Sequence, residues 1–304
     1  MSSKIGKVTL NYEYCSRVDP RAEGETERKL MEIVKSGQDI EEVLLNETDG
    51  ELLYHLSDIR KNLLAWYPFD KTSSVLEIGA ECGALTGLFC EKAGRVVAVE
   101  QSKIRAEINA YRNDYDNLEI IVGRIGDIKL TEKFDVVTLI GSLECAGELL
   151  TYNDPFTDLI KIAKDSLKPG GQLIIATANK YGLKYWAGAA EDHTGVMFEG
   201  IQGYEGDSKA RTFSRKELTD MIAGASLGDI EFYYPAPDHK MALEVISPEY
   251  LKNYHDMHGH TPAYDRDRLV LFNEAKATET LIKDGMYEDF ANSFLVLAKK
   301  EGRV

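Results

Sequence analysis

The stretch VLEIGAECG, residues 75–83, decides how this chain is read. An apolar run stops at two glycines, Gly79 and Gly83, with carboxylates close by at Glu77 and Glu81. Glycine turns that follow a strand usually cradle phosphate on their backbone N–H groups. Acids in the turn work against such a ligand. In the dinucleotide-binding pattern GxGxxG, the second glycine falls at Glu81, whose charge would face a pyrophosphate. NAD or FAD, and with them an oxidoreductase, are disfavoured on that ground. A ligand with a cationic centre and an ammonium group reverses the electrostatics. Glu77 at the strand end attracts positive charge, and the two glycines let the backbone come close. S-adenosylmethionine fits, because it carries a sulfonium and an α-amino group and no phosphate.

Outward from this loop, short bulky strands alternate with helical patterns. Ser74–Ile78 reads as the first strand, and Leu85, Leu88 and Phe89 mark a helix that ends at Gly94. RVVAV (95–99), 118–122 and FDVVTLI (134–140) are the next strands. Phe156, Leu159, Ile160, Ala163 and Leu167 share one helical face, after which Pro169 and two glycines turn the chain into a strand over 172–177. Ser214 and Glu217 form a capping box that opens a further helix. Strands over 230–234 and 293–298 complete the set. The expected fold is α/β, a seven-stranded, mostly parallel, doubly wound sheet. Residues 1–70 are expected as a helical N-terminal cap, including one helix over 52–66. Residues 71–304 are expected as the ligand-binding domain, with insertions at 178–213 and 235–289 long enough to act as lids.

Composition narrows the partners. The 304 residues carry a net charge of −15, which repels nucleic acid and anionic lipid. Cys15, Cys82, Cys90 and Cys145 have no CxxC or zinc spacing, so free thiols in a reducing cytoplasm are expected. The N-terminus has no apolar signal core, and no apolar run is long enough to span a bilayer.

Two more acids sit at strand ends. Glu100 follows RVVAV and can accept both hydroxyls of a ribose. Asp127, in GRIGD, is placed to accept from an adenine amine, with Ile125 or Ile128 against the ring. The segments VLEIGAECG, VVAVE, IGDI, FDVVTLIGSLE and LKPGGQLIIAT, in this order over residues 74 to about 177, resemble the class I S-adenosylmethionine-dependent methyltransferases. The resemblance implies that Glu77, Gly79 and Gly83 line the methionine part, Glu100 the ribose and Asp127 the adenine. It places Gly141 and Ser142 beside the methyl-transfer cavity. Glu81 and Cys82 depart from it, being bulkier than the small residues often found there.

The acceptor side is expected to come from NKYGLKYWAGAAEDHTGVMFEGIQGY (179–204). Its aromatic residues, Tyr185 and Trp186 among them, suit a sugar ring or an apolar acceptor. His193 is the first candidate base, oriented by Asp192 or Glu191, and Glu144 is the second. His255, His258 and His260 lie together but give no convincing metal site, and none is assigned. Arg266 or Arg268 could bind an anionic substrate group. The flanking segments NLLAWYPF, EDHTG and RDRLVLF also resemble a bacterial methyltransferase subgroup that accompanies glycosyltransferases of surface polysaccharides. That implies a saccharide hydroxyl as acceptor and a glycosyltransferase partner. The alternatives are N- or C-methylation of another metabolite, or a non-catalytic module.

Overall fold

The structure is a computed structural model that describes residues 2–19, 21–22, 24–206, 208–251 and 269–302. Ten strands form one sheet: β1 (Ser2–Ile5), β2 (Val8–Asn11), β3 (Ser74–Ile78), β4 (Arg95–Glu100), β5 (Leu118–Val122), β6 (Phe134–Ile140), β7 (Leu167–Ala178), β8 (Leu227–Ala236), β9 (Glu244–Ile246) and β10 (Ser293–Lys300). Their spatial order is β1-β2-β5-β4-β3-β6-β7-β10-β8-β9. The seven expected strands are all present as the central run, β5-β4-β3-β6-β7-β10-β8. Strands β5, β4, β3, β6 and β7 pair in parallel, and β10 enters antiparallel between β7 and β8.

Side chains of each central strand divide between two cores. Leu76 and Ile78 join Val97, Val99 and Val137 on one face, with Leu159 and Ile160 of the helix Pro155–Ser166. Val75 joins Val96, Ala98 and Val136 on the other, with Leu88 and Phe89 of the helix Thr86–Lys92. Burial on both faces explains why these strands read as unbroken apolar runs.

The N-terminal segment differs from expectation. It opens with the β1–β2 hairpin, and β2 extends the sheet by pairing in parallel with β5. Helices Glu25–Ser36, Ile40–Asn46 and Gly50–Leu56 follow. The helix expected over 52–66 stops at Ser57, whose hydroxyl accepts from the N–H of Ile59 and starts a 3-10 helix, Asp58–Leu63. Leu30, Ile33, Leu52 and Leu56 from these helices pack on Cys82 and Ile108 in a third core. The two unexpected residues of the glycine loop thus hold the N-terminal helices: Cys82 lies in that core, and Glu81 meets Arg105, which also grips Glu27. Among the described residues no helix is long and apolar enough to cross a membrane.

Candidate functional site

A cavity of about 600 Å³ opens at the carboxyl ends of β3, β4, β5 and β6. Open parallel sheets bind ligands at this edge, where the strand order reverses. Its lining contains Gly79, Glu100, Gly141, Ser142, Glu144, Asp192 and His193 of the expected residues. Gly79 has φ +80°, and a Cβ there would stand 2.7 Å from the Cβ of Ser142. Only glycine lets these two strand ends close against each other. Ser142 Oγ is buried and has no hydrogen-bond partner among the described residues.

Glu100 is held by its own turn. Its Oε1 accepts from the N–H of Ser102 at 2.8 Å and its Oε2 from the N–H of Glu81 at 2.9 Å. Burial pushes its carboxyl up to about 7 against the pull of these bonds. Each oxygen keeps capacity for a second donor. Ile125 supplies an apolar wall, and Tyr54 and His55 of the helix Gly50–Leu56 close the cavity from the N-terminal side.

Several expected residues lie elsewhere. Glu77 shares a strand face with Val75, so it points under the helix Thr86–Lys92 and not into the cavity. There it accepts from Thr86 Oγ1 at 2.6 Å, and burial pushes its carboxyl up to about 8. Gly83 has φ +77° and makes room for Asn109 and Asn113, which a Cβ would strike. It serves the loop's packing and does not line the cavity. Asp127 is exposed and outside the lining, and Ile128 packs against the sheet core. Glu81 is at the cavity, but its charge is not free. Burial pushes its carboxyl up, while His55, Arg105 and Arg60 outweigh burial and hold it ionised. A Glu81 charge matched by His55, Arg105 and Arg60 repels a pyrophosphate less than a bare one would.

On the acceptor side the partners differ from those expected. His193 Nε2 meets Glu144 Oε2 at 2.7 Å, and Nδ1 lies 3.9 Å from Cys145 Sγ. Burial lowers the imidazole's pKa, but the bonds to Cys145 and Glu144 outweigh it and hold the ring protonated. Glu144 in turn stays well below the carboxylate range: burial raises it, and His193, His239 and Lys240 more than compensate. Glu144 Oε1 also accepts from Thr177 Oγ1 at 3.0 Å and from the N–H of Ala178 at 2.5 Å. Asp192 does not orient His193. It bridges Lys184 at 3.1 Å and Lys240 at 3.0 Å. Glu191 ties the turn together, accepting from the backbone N–H groups of His193 and Thr194 and from Tyr204 Oη.

Tyr185 is buried and Trp186 half-exposed against Phe290, and neither lines the cavity. Arg266, Arg268 and the histidines at 255, 258 and 260 lie outside the described residues. Sequence reasoning missed Tyr54, His55, Gln101, Ser102, Arg105, His239 and Lys240, all in the lining. Ser102 and Arg105 carried a signal, being one short turn beyond Glu100. His239 and Lys240 carried none, because only the tertiary fold returns the end of β8 to β6.

The residues present fit S-adenosylmethionine. Glu100 offers a carboxylate for ribose and Ile125 an apolar wall. Gly79 and Gly141 give backbone access, and Ser142 has an unused hydroxyl facing the same space.

Comparison with known proteins agrees. Residues 69–218 match the family model described as a methyltransferase domain. A probable protein arginine N-methyltransferase 6.2 of Oryza sativa subsp. indica is 34% identical over 112 residues, covering 35% of this chain and 27% of that protein. A malonyl-(acyl-carrier protein) O-methyltransferase of Priestia megaterium is 27% identical over 118 residues, 38% of this chain and 40% of that protein. The chain therefore matches well under half the length of these curated relatives. A solved S-adenosylmethionine-dependent methyltransferase of Archaeoglobus fulgidus shares the fold at a TM-score of 0.50 and 14% identity, over 81% of this chain and 96% of that one. Residues 69–218, just under half of the chain, thus match a methyltransferase domain, and the cofactor that fits the cavity is S-adenosylmethionine.

Proposed function

We propose that this chain transfers a methyl group from S-adenosylmethionine to a hydroxyl of a small polar molecule, a saccharide or a glycan-linked compound. Bound in the cavity, the cofactor supplies an electrophilic methyl carbon and a neutral thioether leaving group. The protein's part is then alignment and exclusion of water. Glu100 would hold the ribose, Ile125 would pack on the adenine, and Gly79, Gly141 and Ser142 would border the methionine end. Glu148, which lines the same cavity, stands in a better place than Asp127 to meet the adenine amine.

The observation that carries a hydroxyl acceptor is the pairing of charge beyond Ser142. Glu144 is matched by His193, and Asp192 by Lys184 and Lys240. An ammonium acceptor would call for uncompensated carboxylates, and this end of the cavity has its carboxylates neutralised. A neutral, hydrogen-bonding acceptor suits it better. The aromatic residues of 179–204 lend less support than expected, since Tyr185 and Trp186 stand back from the cavity. The sequence resemblance to enzymes that accompany glycosyltransferases supports a saccharide and a glycosyltransferase partner. Buried free thiols at Cys82 and Cys90 suit a reducing, cytoplasmic setting.

The test is a panel of free sugars, nucleotide-sugars, amines and carboxylic acids incubated with methyl-labelled cofactor. Label in a sugar ether supports this reading. Label only in an amine would replace it with N-methylation.

A further inference from the structure

We propose that His239, and not His193, is the general base that takes the acceptor's proton. The inference rests on the reading of the cavity as a site of methyl transfer to oxygen.

His239 follows β8 and is buried at the cavity wall. Its Nδ1 lies 2.9 Å from Ser293 Oγ at the start of β10. With Nδ1–H donated to that hydroxyl, Nε2 carries the lone pair. Nε2 is 3.7 Å from Glu144 Oε1, too far for a hydrogen bond, so it is not committed there. It stands 4.0 Å from the point where a Cβ on Gly141 would be. Gly141 borders the expected methyl-transfer position, and its missing side chain leaves the path to Nε2 clear.

The loop that carries the ring is fixed. Asp238 Oδ1 accepts from the N–H groups of Lys240 and Met241, and Asn292 Nδ2 donates to the carbonyl of Pro237. A base held this way needs no reorganisation before reaction. His193, by contrast, has Nε2 committed to Glu144.

Charge supports the division. Around His239 stand Glu144, Asp238, Lys240 and Arg60, with His193 and Asp192 across the cavity. Burial pulls its imidazole down to about 4, against the pull of Glu144 and Asp238. The ring is therefore neutral at physiological pH, while His193 is charged. In the step, the acceptor O–H bond breaks and its proton goes to His239 Nε2. The oxygen pair forms the bond to the methyl carbon, and the carbon–sulfur pair leaves on the thioether sulfur. The new imidazolium faces Glu144 Oε1.

Long-range proton–nitrogen NMR of the whole chain, labelled at histidine nitrogen and saturated with S-adenosylhomocysteine, tests this without an acceptor. Signals are assigned by His239→Asn and His193→Asn. Expected are a His239 protonated on Nδ1 alone and a His193 protonated on both nitrogens, across about pH 6 to 8. A proton on His239 Nε2 in that range overturns the proposal. On the sugar acceptor, His239→Asn should lower kcat about 100-fold or more while S-adenosylhomocysteine affinity is kept. It should also remove the acidic limb of the pH–kcat profile. Turnover within about threefold of wild type would sink the assignment. Should His239→Asn fail to fold, Ser293→Ala, expected to release the fixed tautomer, assigns the His239 signal in its place. Failure of S-adenosylhomocysteine to bind at all would strike the reading of the site and not the choice between the histidines.

Discussion

The two halves of the cavity are built on different plans. The half proposed to hold the cofactor is made mainly of turns directly after β3, β4, β5 and β6, with Tyr54 and His55 closing it, so most of its residues lie within a few positions of a strand end. Backbone geometry does most of its work, through Gly79, Gly141 and the two N–H groups that grip Glu100. The acceptor half is assembled from side chains far apart in sequence, on Glu144, the turn at 191–193 and the loop at 238–240. Buried charge holds it together, in the Glu144–His193 pair and the chain Lys184–Asp192–Lys240. The contrast teaches that the common part of such a site is written in strand ends, and the particular part in long-range pairs.

The contrast breaks most severely at Glu144. Replacing it by Ala would take away the carboxylate that holds His193 protonated and leave two donors on β7 without that acceptor. A loss of about 3–5 kcal/mol in denaturant unfolding is expected, and a stability within error of wild type would mean that this pair does not organise the acceptor half. In the cofactor half the damage should show in binding. Calorimetry should find Glu100→Ala weaker for S-adenosylhomocysteine by about 1.5–3 kcal/mol, the worth of hydrogen bonds to a charged acceptor. Gly79→Ala meets Ser142 at 2.7 Å in a left-handed backbone. It should cost about 1–3 kcal/mol of stability, and a thermal shift assay that finds no change would deny the close approach.

Glu77 gives the most specific effect. Burial pushes its folded carboxyl up to about 8 from the ordinary 4.5. Below the unfolded pKa both states are protonated and the folded form keeps its full advantage. Between about pH 4.5 and 8 the unfolded state loses its proton first, so stability falls as pH rises. Glu77→Gln should flatten that slope, with little change at pH 5 and a gain of about 1 kcal/mol or more above pH 8. Parallel pH–stability curves for variant and wild type would place the Glu77 carboxyl in water instead of under the helix Thr86–Lys92.

What could be read in the sequence follows the same division. The strands β3, β4 and β6 were legible because both faces of each are buried, leaving nearly unbroken apolar runs. Glu100 and Gly79 were legible because a strand end fixes where the next residue goes. Glu77 was readable too, by strand alternation: two positions from Val75, it had to face the helix side. The β1–β2 hairpin was not legible, since its outer strand is exposed and polar. Cys82 and Glu81 could be flagged as unusual, but their purpose needed the N-terminal helices in place. His239 was invisible because the contact between the end of β8 and Gly141 depends on β10 being inserted between β7 and β8.

The central claim is that the sheet-edge cavity takes an adenosyl ligand without phosphates. Titration calorimetry of the purified chain with S-adenosylhomocysteine and with NAD tests it directly. The account predicts saturable one-to-one binding of S-adenosylhomocysteine and no heat from NAD. Binding of NAD with S-adenosylhomocysteine silent would contradict it.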